Sequence, residues 1–238
     1  MLDTTPFRIT LEIARSDERR ASRFDVPVPG AASRVLDALL YVRERLDPSL
    51  GFRYSCRAGM CGACAVVVNG KEALSCQTAI GTLGTTTVRV SPLRALPVLR
   101  DLTCDMTPFF DTFRRADAAL RPNDATRKTI SVMPPTEAHR ALIERQNGCI
   151  TCGACYSAYE SSTTRTNDLR PAALNRVLML SLDERDATGR ARLATVASEV
   201  ETAHGDGLVD FDAVCPVNIP LREGIAKLRE LLAAEKRV

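Results

Sequence analysis

The chain contains no tryptophan, only two histidines, and aromatic residues make up 5% of its 238 positions. Two histidines exclude a histidine-rich metal centre, and no C-x-H pair exists for a Rieske-type site. No G-x-G-x-x-G follows a strand-like segment, and there is no P-loop or nucleophile elbow, so no recognisable nucleotide or flavin fingerprint is present. No apolar run approaches the ~18–20 residues of a membrane span. Residues 1–10 lack the apolar core of a signal peptide, so residence in a reducing cytoplasm is expected. A formal net charge of +3 is too small to suggest nucleic acid. The short run Glu18-Arg19-Arg20 with Arg23 reads as a solvated surface.

Cysteine is what the chain has in excess, with nine. Cys56, Cys61, Cys64 and Cys76 form C-x4-C-x2-C-x11-C. Cys149, Cys152 and Cys155 form C-x2-C-x2-C, and Cys215-Pro216 follows far downstream. The first spacing opens like a plant-type [2Fe–2S] site, and the second reads as a [4Fe–4S] site completed by Cys215. A four-thiolate zinc site is the alternative for the first set, but such sites pair one C-x2–4-C with another, and this set is three plus one. Gly59 and Gly62 fit a loop that must turn tightly and bring N–H groups to sulfur. The ninth cysteine, Cys104, reads as a small buried hydrophobe.

The pattern around these cysteines predicts an α+β protein. Phe7, Ile9, Leu11 and Ile13 alternate as in a half-buried strand, and Phe24, Val26 and Val28 suggest a second. Ser33 is the expected N-cap of a helix carrying Val35, Leu36, Leu39, Leu40 and Leu46 on its apolar face. Ala65–Val68 and Lys71–Ser75 flank Asn69-Gly70, the signature of a hairpin with a type I′ turn. Thr86, Val88 and Val90 add a late strand. The expected organisation is a β-grasp domain of the plant-type 2Fe–2S ferredoxin kind over residues 1–118. A proline-rich linker follows at 119–136, then an all-helical domain at 137–238. In that second half Thr136 is the expected cap of a helix reaching Asn147. Leu174, Val177, Leu178 and Leu182 follow Pro171 at helical spacing, and Leu221 to Lys236 forms a last helix.

These residues resemble a known family. Ser55-Cys56-Arg57-Ala58-Gly59-Met60-Cys61-Gly62, Leu74-Ser75-Cys76-Gln77-Thr78 and Pro97 to Leu102 are very similar to the iron–sulfur subunits of succinate dehydrogenases and fumarate reductases. So are the runs Val35 to Leu40 and Leu46 to Leu50. The resemblance implies an α-helical ferredoxin-like second domain and a flavoprotein partner carrying FAD. It also implies an electron-transfer subunit with no substrate chemistry of its own. In that family three further cysteines hold a [3Fe–4S] cluster, and here those positions are Tyr159, Gly205 and Phe211. The residues that line the family's quinone site are absent too. Glu160 and Ser161-Ser162-Thr163-Thr164 stand in one part of it and Asp206 at the histidine position, and neither His204 nor His139 is a convincing substitute. The resemblance therefore implies two clusters, no third, and an atypical partner in place of the usual quinone-binding anchor. That partner could place the complex on the cytoplasmic face of the inner membrane. The other reading is a free-standing two-cluster carrier. Such carriers are usually acidic, whereas this chain is slightly basic.

Overall fold

The structure, a computed structural model, describes residues 5–16, 21–124, 128, 132, 134, 136–160, 169–189, 191–202 and 210–235. Glu18–Arg20, Ser161–Thr164 and His204–Asp206 lie outside them. The chain divides into two compact units. The first is Met1–Met106 with Ile150–Ala158, and the second is Thr107–Cys149 with Tyr159–Val238.

The first unit is built on strand periodicity. The alternating segment is β1, Phe7–Ile13, with Ile9, Leu11 and Ile13 buried. It pairs antiparallel with β2, Ser22–Val28, placing Leu11 opposite Phe24. The hairpin forms as β3, Ala65–Val68, and β4, Lys71–Leu74. Its turn residues Asn69 (φ 48°) and Gly70 (φ 84°) are both left-handed, as a type I′ turn requires. β5, Thr87–Ser91, runs parallel to β1 and antiparallel to β3, giving the order β2-β1-β5-β3-β4. The ribbon β6, Val98–Arg100, and β7, Thr103–Cys104, closes the unit.

One helix packs with this sheet: α1, Val35–Tyr41, places Val35, Ala38 and Leu39 in one core with Ile9, Leu11, Val66 and Val88. Two expectations fail here. Ser33 is not the cap, because its N–H and carbonyl are used by Gly30 and Ile80. The cap is Arg34, extended at φ −93°, whose N–H donates to the Asp37 carboxylate at 2.8 Å. Leu46 is not on the buried face but 45% exposed. The chain leaves α1 through a π-turn, Val42–Leu46, and the wider turn rotates Leu46 off the apolar stripe.

The second unit is helical. It contains α2, Thr107–Arg115, and α3, Arg140–Gln146. Between its long helices the chain forms α4, Ala154–Glu160, of which Ala154–Ala158 belongs to the first unit. Then come α5, Pro171–Leu182, α6, Ala191–Thr202, α7, Phe211–Val214, and α8, Leu221–Glu235. Pro171 sits at the start of α5, where its missing N–H costs nothing. The apolar faces meet in one core with Leu174, Val177, Leu178, Val196, Ile225 and Leu228 fully or nearly buried. Thr136 does not cap α3; Glu137 turns the chain first, its carboxylate accepting from the His139 N–H, and α3 begins at Arg140.

The compact units also divide earlier than the proline content suggests. Phe113 and Ala116, at the end of α2, pack into the helical core. Residues 121–123 of the expected linker are bonded to 185–187, Arg121 N–H reaching Asp186 at 3.0 Å. A buried pair holds this corner: the side chains of Arg192 and Asp186 are both 0% exposed, and the guanidinium also donates to the carbonyls of Asp117 and Ala119. Among the described residues no helix is long and apolar enough to cross a membrane.

Candidate cluster-binding site

The first cysteine set is assembled by one loop and one hairpin end. The loop turns on left-handed residues Arg57, Gly59 and Gly62. This brings the N–H groups of Ala58 and Met60 to 3.4 and 3.3 Å from Cys56 Sγ, and the Cys56 N–H to 3.5 Å from Cys61 Sγ. β4 returns the chain so that Cys76 lies beside Cys64, and Gln77 Nε2 donates to Cys76 Sγ at 3.6 Å. The thiols thus meet two by two, Cys56 with Cys61 and Cys64 with Cys76. Among the described residues no three or more Cys, His, Asp or Glu side chains group as a site for one metal ion. Pairs suit a two-iron cluster, which takes four thiolates, two to each iron.

The two pairs differ electrostatically. The Ala58 N–H, the Cys61 thiol and the Met60 N–H pull the exposed Cys56 down to about 7. Burial and the neighbouring Cys76 push Cys64 up to about 11. Cys56 is therefore ready to ionise near neutrality, and Cys64 would ionise only against a metal's charge. Two cations flank the loop entrance. Arg43 lies 4.6 Å from the Phe52 ring and 5.1 Å from the Tyr54 ring, and donates to the Tyr54 hydroxyl at 3.0 Å. Arg57 lies 5.3 Å from the same tyrosine ring, and hydrogen bonds from both guanidiniums lower the phenol's pKa.

The loop entrance is fixed from below. Asp101, its side chain 1% exposed, accepts from the Gly51 N–H at 2.7 Å, the Ser16 N–H at 3.2 Å and Arg15 Nε at 3.0 Å. Arg15 also pairs with Asp47. Burial alone would raise the Asp101 pKa, but the donated N–H groups and Arg15 outweigh it and lower it. Asp47 is lowered to about 2, by the Ser49 hydroxyl and by Arg15. Cys104 is 5% exposed with Sγ 3.7 Å from the Leu93 carbonyl, and burial raises its pKa, as befits a small core residue.

The second set is distributed along the chain. Cys152 and Cys155 belong to the first unit, Cys149 and Cys215 to the second, and all four are half-buried. Thr151 (φ 51°) and Gly153 (φ 82°) turn the segment between Cys149 and α4. Cys215 leaves the one-turn helix α7 with its N–H on the Phe211 carbonyl at 3.1 Å, and its Sγ accepts from the Ile219 N–H at 3.4 Å. Asp210 caps that turn through the Asp212 and Ala213 N–H groups.

The resemblance assigns two of the family's three extra cysteines to positions that hold packed rings here. Tyr159 and Phe211 are 4% and 2% exposed and stack at 5.9 Å and 24°. The guanidinium of buried Arg170 lies 4.7 Å from the tyrosine ring centre. Gly205 lies outside the described residues.

Sequence reasoning missed one polar cluster at these loops. Ser157 Oγ accepts from the Arg94 N–H at 2.8 Å and donates to Glu72 Oε1 at 2.9 Å. Nothing local in the sequence links a serine on α4 with a glutamate on β4, 85 positions away.

Residues 7–111 match the family described as "2Fe-2S iron-sulfur cluster binding domain". The chain is 30% identical over 209 residues to the mitochondrial succinate dehydrogenase [ubiquinone] iron-sulfur subunit 1 of Oryza sativa subsp. japonica, covering 87% of this chain and 74% of that one. It is 29% identical over 213 residues to the fumarate reductase iron-sulfur subunit of Haemophilus influenzae, covering 85% and 82%. In fold it is similar to a chain of the Mycobacterium smegmatis Sdh1 complex in the apo form, with a TM-score of 0.83, 24% identity and coverage of 98% and 99%. With its cysteine loop, its sheet and its helical half accounted for together, this chain belongs to the family of succinate dehydrogenase and fumarate reductase iron–sulfur subunits.

Proposed function

We propose that this chain relays single electrons between a partner flavoprotein's FAD and an external acceptor or donor through two clusters. Cys56, Cys61, Cys64 and Cys76 would hold [2Fe–2S] in a β-grasp domain. Cys149, Cys152, Cys155 and Cys215 would hold [4Fe–4S], with the helical ferredoxin-like domain supplying Cys149 and Cys215. The clusters, when bound, supply one-electron chemistry. The chain's own part is to hold the thiolates and to aim N–H groups at sulfur. The arginines beside Tyr54 offset negative charge at the exposed pair.

The observation that carries this reading is the two-by-two thiol arrangement inside the matched domain. The stacked rings of Tyr159 and Phe211 support the absence of a [3Fe–4S] cluster, because they occupy two of its three ligand positions with apolar volume. A two-cluster subunit has no reason to keep the usual quinone pocket. The partner on that side would then be a soluble carrier, another redox subunit or an atypical anchor. Peripheral residence on the cytoplasmic face of the inner membrane would come through that partner.

The test is ubiquinone reduction by the purified flavoprotein–iron–sulfur complex, with and without candidate partners. Slow turnover by the complex alone is expected. Fast turnover blocked by conventional quinone-site inhibitors would overturn the claim of an atypical acceptor.

A further inference from the structure

The two cysteine sets touch within the first unit, at a glycine. Gly62 lies between Cys61 and Cys64, with φ +70°. A Cβ built there would stand 2.8 Å from both Cα and Cβ of Cys152 and from the Ile150 carbonyl oxygen. All three neighbours are backbone or its first side-chain atom, so no flexible end can swing away. The first loop and the second cysteine segment are therefore in contact with no side chain between them.

Two other contacts seat the same segment. On one side Gly153 lies against Met106 and Leu93, where a Cβ would be 3.1 and 3.3 Å from their side-chain carbons. On the other, Ser157 joins the Arg94 N–H to Glu72, whose side chain is 4% exposed and pairs with Arg94 Nη1 at 3.2 Å. Glu72 lies on β4, four residues before Cys76. The element that delivers the last thiol of the first set thus also grips the helix that follows Cys152 and carries Cys155.

We propose that Gly62 and the Ser157–Glu72–Arg94 clamp are positioning residues that set the electron-transfer gap between the two cluster sites. This rests on the cluster assignment above. With clusters held by Cys56, Cys61, Cys64 and Cys76 and by Cys149, Cys152, Cys155 and Cys215, one electron would leave the first set's cluster, oxidising it, and one would arrive at the second's, reducing it. No bond is made or broken at Gly62 and no proton moves. Electron transfer across a gap slows steeply as the gap widens, so a contact free of side chains is the arrangement that keeps it short. Any Cβ at position 62 forces the loops apart by at least 0.6 Å to reach the 3.4 Å edge of ordinary contact. The left-handed φ alone would also select glycine. Asparagine tolerates that φ better than alanine but still needs the space, so the two substitutions separate the explanations.

The experiment uses the whole flavoprotein–iron–sulfur complex with Gly62→Ala, Gly62→Asn, Ser157→Ala and Ser157→Thr. Iron content, the spin–spin interaction between the two reduced-state EPR signals, and the freeze-quenched rate of electron redistribution are read on each. At unchanged iron content, both Gly62 variants are expected to weaken the spin–spin interaction and slow redistribution several-fold. Ser157→Ala should shift both in the same direction to a smaller extent, and Ser157→Thr, which keeps the hydroxyl, should restore them. Full recovery in Gly62→Asn would mean that only φ selects glycine, and would overturn the role given to Gly62. Unchanged interaction and rate in both Gly62→Ala and Ser157→Ala would overturn the whole inference. If the Gly62 variants lose iron, Ser157→Ala decides by the same criterion. A wild-type complex lacking one of the two signals would instead break the cluster assignment.

Discussion

Replacing Phe211 with alanine tests whether its ring and that of Tyr159 form a packed plug beside Cys215. Phe211 is 2% exposed, and its ring stacks on Tyr159 at 5.9 Å. Truncating a buried phenylalanine costs about 3–5 kcal/mol. The ring pair itself accounts for roughly 0.5–1.5 kcal/mol of that. Phe211→Leu keeps most of the volume and loses the stacking, so it should cost about 1 kcal/mol. With a urea dependence of about 2 kcal/mol/M, the alanine variant should unfold about 2 M earlier and the leucine variant about 0.5 M earlier. The assay is urea unfolding followed by the helical circular dichroism signal, with all variants in the same cofactor state. Iron should be lost more readily from the alanine variant, because Phe211 opens the single turn that ends at Cys215. An alanine variant that unfolds at the wild-type midpoint would refute the claim that the two rings form a packed plug.

Cys215→Ser should damage the four-iron cluster and leave the [2Fe–2S] visible and EPR spectra in place, since the first set shares no residue with it. Cys104→Ala should retain both clusters by iron analysis; loss of either would show that the ligands are wrongly assigned. Asp101→Asn should destabilise the first unit by about 3 kcal/mol, the low end for breaking a buried pair, because Asp47 still faces Arg15. Asp101 and Asp47 have lowered folded-state pKa values, so what they contribute is present above the usual carboxylate range and is lost as pH falls through the lowered values, about 2 for Asp47. The difference in urea midpoint between wild type and Asp101→Asn should therefore shrink over that acid range, and a constant or growing difference would contradict the sign.

The strands, the hairpin and the long helices were legible because their signals are local. Alternation from Phe7 to Ile13 and the Asn69-Gly70 turn each specify an element within a few residues. Both cysteine sets can be proposed from sequence for the same reason, since ligand spacing is written along the chain. What was not legible depends on residues far apart. Arg34 takes the cap from Ser33 because a bond from Ile80 occupies the serine carbonyl. Leu46 leaves the buried face because of a π-turn that no apolar period announces. The helix over Thr107–Arg115 reads as the tail of the first domain, yet Phe113 and Ala116 join the helical core. At the site, the contact of Gly62 with Cys152 joins two motifs that are separate in sequence, and glycine carries no sign of what it lies against.

The number of clusters is measured most directly by iron analysis joined to low-temperature EPR of the complex. Counting from the cluster formulae, about six irons are expected for this subunit. No [3Fe–4S] signal is expected in the oxidised state, and two distinct signals are expected after reduction. About nine irons, with a strong oxidised-state [3Fe–4S] signal that is not a product of cluster damage, would contradict the two-cluster assignment.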